Sequence, residues 1–286
     1  MQSTNRLAIG PHPLKQKSGK ARQGQYYDCE RGRPTSLSEA AKSLLHSKFV
    51  VIGESHDHPE HHLTQAAIIR ELHRQGASVI VGMEMFDRTK QFALDEFSLG
   101  RLSDEEFVER SAWKTQWGFD FNLYKPIFDA VRQHRLRLVA LNVPRTTVSK
   151  VGREGWDSLT EDERMGIPDP DLTNGEHRQL FTALMAGHPP TGDRGERIYS
   201  AQVLWDTGMA DSALKYWERT PKTDRTIFAI IAGNGHAMYG LGINLRLAMR
   251  TNEKISTVVC LEAEGGGQTF QRSIADVVYI AAPHAR

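Results

Sequence analysis

The chain has 286 residues, of which 39% are hydrophobic and 25% charged, and its formal net charge is +1. That is enough apolar material for one large domain or two ordinary ones, and the balanced charge argues against a nucleic-acid or polyanionic partner. Cys29 and Cys260 follow neither a metal spacing nor a disulfide framework, Cys260 reads as a buried core thiol, and no run approaches the ~20 apolar residues of a membrane span.

Residues 1–30 show little periodicity and are rich in Gly, Gln and Lys, so a loose arm is expected there. The basic start, with Lys15, Lys17, Lys20 and Arg22, has no apolar signal-peptide region. The chain therefore reads as either cytosolic or a mature form whose targeting segment has been removed.

Beyond the arm, apolar runs rich in Val and Ile at 49–52, 79–83, 136–141, 226–232, 256–261 and 277–281 predict strands. They lack polar alternation, which predicts strands covered on both faces, as in a parallel sheet. Helical patterns fall between them at 59–74, 124–134, 196–219 and 242–249. The first carries the stripe His62, Ala66, Ile69 and Leu72, and the second repeats it with Ile127, Ala130 and Val131. The succession predicts right-handed crossovers and a single α/β domain over 31–286, with a mostly parallel central sheet flanked by helices. Residues 144–219 show no strand pattern and contain turn-rich pieces such as Gly187-His188-Pro189-Pro190. They read as a helical insertion, of which 144–195 would be a lid or an association surface.

In open α/β sheets, ligands bind beyond the carboxyl ends of the strands. The unusual polar residues of this sequence fall there. The first run leads into Gly53-Glu54-Ser55-His56-Asp57-His58, then His61 and His62; the second ends at Glu84, the third at Asn142 and Arg145. The fourth leads into Gly233-Asn234-Gly235-His236 and Tyr239. If a helix starts near His58, then His58 and His62 stand one turn apart and are placed to share a metal. Glu54 and Glu84 would complete an oxygen–nitrogen site or orient a histidine. Gly233 and Gly235 would permit close backbone approach. Plainer readings stand beside these: Glu84 as a helix cap, Tyr239 as a packed aromatic, and His61 as a solvated first-turn residue. Trp113, Trp117, Phe119 and Phe121 read as core rather than as a cofactor box. No Gly-x-Ser-x-Gly elbow or Walker loop is present.

The paired Gly-x-x-His motifs, with Gly82-Met83-Glu84-Met85-Phe86-Asp87-Arg88, Trp117-Gly118-Phe119-Asp120, Asn142-Val143-Pro144-Arg145, Ala201-Gln202-Val203-Leu204-Trp205-Asp206 and His236-Ala237-Met238-Tyr239-Gly240, resemble the ChaN family. That family lies in the wider group of erythromycin esterases and TraB/Tiki proteins, and the likeness covers roughly 45–282. The resemblance implies a bacterial haem-binding protein of iron uptake, typically a lipoprotein and periplasmic or outer-membrane-associated. It further implies a homodimer with two haems face to face, working with other haem-uptake proteins. No lipobox cysteine is visible here. Tyr239 becomes the expected haem-iron ligand, with His236, His56 and His58 around the cofactor and Arg145 or His62 at a propionate. The competing expectation is a hydrolase in which Glu54, His56, Glu84 and His236 bind zinc or manganese or activate a water directly.

Overall fold

The computed structural model describes residues 4–10 and 13–284. Its strands, in chain order, are β1 (Ser18–Arg22), β2 (Tyr26–Asp28), β3 (Arg33–Thr35), β4 (Phe49–Glu54), β5 (Ser78–Asp87), β6 (Arg137–Asn142), β7 (Thr226–Gly233), β8 (Ile255–Glu262), β9 (Gly267–Gln271) and β10 (Val277–Ala281). The α-helices are α1 (Leu37–Leu44), α2 (Pro59–Arg74), α3 (Gln91–Ser98), α4 (Asp104–Arg110), α5 (Trp113–Gln116), α6 (Phe121–His134), α7 (Arg145–Glu154), α8 (Glu161–Arg164), α9 (Gly175–Leu184), α10 (Gly192–Arg219), α11 (Asn234–Ala237) and α12 (Ile243–Ala248).

The main sheet runs β3-β2-β10-β8-β4-β7-β5-β6. From β10 to β6 every pairing is parallel, whereas β2 and β3 are antiparallel additions at one edge. The protein is thus an α/β sandwich around a mostly parallel sheet, as its alternating pattern predicts. Each central strand feeds two cores. Val50 and Ile52 face the side covered by α2 and α6, with Ile69 and Leu72; Phe49 and Val51 face α10 and α12, with Met209 and Leu247. This explains why β4 and β7 are apolar at almost every position: both faces of each are buried.

The N-terminal segment corrects the expectation of a loose arm. β1 pairs with β9, and β2 joins the main sheet against β10, Tyr26 opposite Tyr279. Leu7, Ile9 and Leu14 are buried. The signal is weak in sequence because β1 buries alternate residues only and β2 spans a mere three. Residues 1–3 and 11–12 of that arm lie outside the described residues. Between β6 and β7 the chain is helical, with no strand among the described residues, and α10 lies across α7, α12 and β6.

At the far edge, β6 would present unpaired backbone groups. The Gln91 side chain occupies them, donating to the Leu138 carbonyl and accepting from Ala140 N–H. Ser98 Oγ accepts from Leu138 N–H. The sheet ends there on side chains.

Candidate functional site

β4 and β7 are neighbours, yet β4 leads on to β5 and β7 leads back to β8. Their carboxyl ends therefore open onto a crevice where the loops part. Glycines allow the two loops to meet. A Cβ on Gly53 would lie 2.5 Å from Asn234 Oδ1, and one on Gly233 would lie 2.7 Å from His56 Cε1.

On the β4 side, Glu54 is buried and its Oε1 lies 2.6 Å from His56 Nδ1. Glu54 thereby fixes the ring and leaves Nε2, which has no hydrogen-bond partner among the described residues, as the nitrogen free for a ligand. Burial opposes protonation of His56, but the bond to Glu54 and the charges of Glu54 and Glu84 outweigh it and raise its pKa. Trp117 and Phe119 set their rings edge-on to the imidazole, at 4.6 and 5.5 Å.

On the β7 side, His236 is held between two buried carboxylates. Nδ1 lies 2.7 Å from Asp206 Oδ1, and Nε2 lies 3.3 Å from Glu84 Oε1. Burial disfavours the imidazolium, yet the charges of Glu84 and Asp206 hold the pKa of His236 well above its usual value. Burial would raise the Glu84 carboxyl, but the His236 charge dominates and holds it down at about 2. Asp206 is depressed in the same way, with His177 adding to the effect. Glu84 sits where the β5–β6 register shifts, and its Oε2 accepts from Gly233 N–H at 2.7 Å. It therefore ties β5 to β7 and does not merely cap a helix.

These groups line a cleft of about 380 Å3, walled further by Gln116, Asn142, Gln202 and Trp205. Arg145, the first residue of α7, stands exposed at its rim with no ion pair among the described residues. A larger hollow of about 770 Å3 between α4, α5 and α6 contains none of the strand-end groups.

The structure brings Glu54, His56, Glu84 and His236 together with Arg145. It puts the other expected site residues elsewhere. Tyr239 is 1% exposed; Leu7 N–H donates to its hydroxyl at 3.0 Å, and the hydroxyl donates to the Thr4 carbonyl at 2.6 Å. Burial raises its pKa above that of a free phenol, so both geometry and charge speak against a phenolate ligand in the cleft. Its backbone is left-handed, with φ at 60°, which turns the side chain away from His236 toward the N-terminal segment. His58 is the N-cap residue of α2, bonded through Nε2 to the Ala282 carbonyl and stacked on His61 at 3.9 Å. His62 faces inward against Tyr124; its two nitrogens reach Gln65 Oε1 and the His56 carbonyl. It braces the His56 loop and cannot meet a propionate. His58 and His62 do not converge on a shared ion, and among the described residues no group of three or more His, Cys, Asp or Glu side chains is arranged to hold one. His61, expected to be solvated, is fully buried and accepts from Ser55 N–H at 2.9 Å. Burial and the neighbouring His58, His62 and His284 push its pKa down to about 2.

Trp117 and Phe119 are cleft walls, whereas Trp113 is core. Strand-end reasoning does not reach Asp206 or His177, which lie on helices. For Asp206 the sequence offers its place in the family-like segment 201–206 and the spacing of Gln202, Trp205 and Asp206 at i, i+3 and i+4, which puts all three on one face of α10.

Together, the fold and the cleft define an α/β protein whose paired strand-end histidine loops share one crevice. The chain belongs to the family described as haem-binding uptake, Tiki superfamily, ChaN, whose model matches residues 40–247. Haem binding is the character of that family. The fold is similar to that of the structure described as cofacial heme binding to ChaN of Campylobacter jejuni, with a TM-score of 0.67 and 19% identity over 89% of this chain and 95% of that one. More distant likenesses are an erythromycin esterase, EreC, in its open conformation (TM-score 0.48, 14% identity, 86% of this chain and 77% of that one) and the type III effector HopBA1 (0.46, 12%, 87% and 94%). No curated protein matches the sequence.

Proposed function

We propose that this protein is a non-catalytic haem carrier or store of bacterial iron uptake, which binds haem in the cleft beyond β4 and β7, at the interface of a homodimer. The observation that carries this reading is His56. Its Nδ1 is held by a buried carboxylate, its Nε2 has no partner among the described residues, and two aromatic rings flank it. An imidazole so held would bind haem iron through Nε2 in its neutral form. Arg145 at the rim suits a propionate. Haem, if bound here, would supply iron for His56, carboxylates for Arg145 and an apolar ring for Trp117 and Trp205, all of which line the cleft. A haem bound in this cleft would keep part of its surface accessible, which a second subunit would shield. The reading places the working protein in the periplasm or at the outer membrane, passing haem to or from other uptake proteins.

The test is a hemin titration of the purified apoprotein. Saturation near one haem per chain is expected, with His56→Ala abolishing it and Tyr239→Phe leaving the ferric spectrum unchanged. No saturable binding to the intact protein would overturn the proposal.

One arrangement favours a second reading. The Glu54–His56 pair resembles an oriented general base, and His236 between two carboxylates resembles a proton donor across the same cleft. Stoichiometric zinc or manganese in the native protein without haem, or ester hydrolysis lost in His56→Ala, would favour a hydrolase.

A further inference from the structure

Asp206, the carboxylate that holds His236, has a second partner that comes from the helical segment between β6 and β7. His177, in α9, places Nε2 at 3.2 Å from Asp206 Oδ2. Its other nitrogen, Nδ1, lies 2.9 Å from the Tyr199 hydroxyl of α10. His177 is 1% exposed, and Tyr199 and Asp206 are fully buried. The result is a continuous buried chain, Tyr199–His177–Asp206–His236–Glu84, which begins beneath Asn174 and ends on the cleft floor.

Tautomers along this chain are fixed by what each atom faces. An ionised Asp206 only accepts, so His177 carries its proton on Nε2 and His236 carries one on Nδ1. His177 Nδ1 then accepts from the Tyr199 hydroxyl at 2.9 Å, the shorter of that hydroxyl's two contacts, the other being the Asn174 carbonyl at 3.4 Å. Oδ1 of Asp206 is taken by His236 at 2.7 Å, whereas Oδ2 is buried without a well-directed hydrogen bond and faces His177 Nε2 as an ion-pair contact at 3.2 Å. A carboxylate held at one oxygen can rotate about its Cβ–Cγ bond; the His177 ring packed against Oδ2 restricts that rotation. The charged and titratable groups facing His236 are Asp206 from α10, Glu84 from β5 and His56 beyond β4, with Arg246 of α12 near enough to act on Asp206.

We propose that His177 is a positioning residue of the cleft: it locks Asp206 in the orientation that aims His236 at Glu84, although it touches nothing that binds in the cleft. Tyr199 supports it by fixing the His177 ring. The proposal rests on the cleft being the binding site only where ligand affinity is concerned; the alignment of His236 stands apart from that reading.

The experiment therefore has two readouts. In 15N-labelled apoprotein, the His236 Nδ1–H proton, bonded to a carboxylate, gives a far-downfield resonance that is assigned by its loss in His236→Gln. His177→Phe keeps an aromatic ring but removes the donor, and is expected to shift that resonance upfield or broaden it away. His177→Gln, whose amide replaces the Nε2 donor, is expected to restore it; Tyr199→Phe gives an intermediate shift in a chain that loses only a hydroxyl. Hemin affinity is expected to fall on the order of tenfold in His177→Phe and to recover in His177→Gln, the scale typical of groups that orient a ligand from behind. An unmoved His236 resonance in folded His177→Phe would overturn the proposal. If His177→Phe does not fold, the proposal is overturned by Tyr199→Phe and His177→Gln both leaving the resonance unmoved or both losing it. If the resonance behaves as expected but no variant, nor the parent, binds hemin, the positioning role stands and the haem reading falls.

Discussion

Glu84→Gln probes the buried charges at the cleft floor. The carboxyl is held at about 2, against an ordinary value of 4.5, chiefly by His236. At about 1.4 kcal/mol per pH unit, that depression corresponds to roughly 3 kcal/mol of preference for the ionised form in the fold. The loss expected on breaking a buried ion pair is of the same order. In the variant, an amide must meet two N–H donors, those of Gly233 and His236. Its oxygen satisfies one and its NH2 opposes the other, so His236 sheds its Nε2 proton. Because the folded-state pKa of Glu84 is depressed, its contribution is full above 4.5 and is lost as pH falls toward 2. Because that of His236 is raised, its contribution is full below 6.5 and is lost as pH rises through the higher folded value. The parent should thus be most favoured between these limits, and Glu84→Gln should flatten both flanks. Urea unfolding of parent and variant from about pH 3 to 9, followed by tryptophan fluorescence, measures this. A loss of about 3 kcal/mol near pH 6 is expected, or roughly 6–12 °C in Tm for a chain of this size. A loss under about 1 kcal/mol, with the acid and alkaline slopes of the parent intact, would refute the electrostatic account of the cleft floor.

Further outcomes can be checked with the same material. Glu54→Gln should keep the fold and lower hemin affinity by about 10- to 100-fold, since it removes the carboxylate that orients His56; a titration against the parent decides it. Gly233→Ala drives a methyl toward His56 Cε1, so hemin binding should weaken with the circular dichroism unchanged, whereas Gly82→Ala, whose methyl meets Phe228 at 2.5 Å, should cost stability instead, about 1–3 kcal/mol. Tyr239→Phe should remove about 1 kcal/mol by deleting the hydroxyl that joins Leu7 and Thr4, and hydrogen exchange should rise at Leu7.

The parallel strands are legible because both of their faces are buried, which writes them as unbroken apolar runs. β5 carries an extra stretch through Glu84 to Asp87 that such a run does not mark, since a register shift sustains it. β1, β2, β3 and β9 are not visible: each is short, at or next to an edge or in the small two-stranded sheet, and burial of alternate residues leaves three of the five residues of β1 charged or polar. Glu54, His56, Glu84 and His236 can be read as strand-end residues without coordinates. Tyr239 cannot be placed, because a single left-handed residue reverses the direction of its side chain. His177 is equally hidden, since only the packing of α9 and α10 over the sheet brings it to Asp206.

The pairing of β2 with β10 has a consequence for how the chain is made. Tyr26 waits for Tyr279, and β4, among the earliest strands synthesised, must be flanked by β7 and β8 from the last third of the sequence. No nascent fragment can close the sheet, so the emerging polypeptide stays open until its final strand leaves the ribosome. Such distant pairings make for slow folding and a long interval with apolar strands uncovered. During that interval the uncovered apolar strands are open to association with other chains, so folding yield should fall as protein concentration rises.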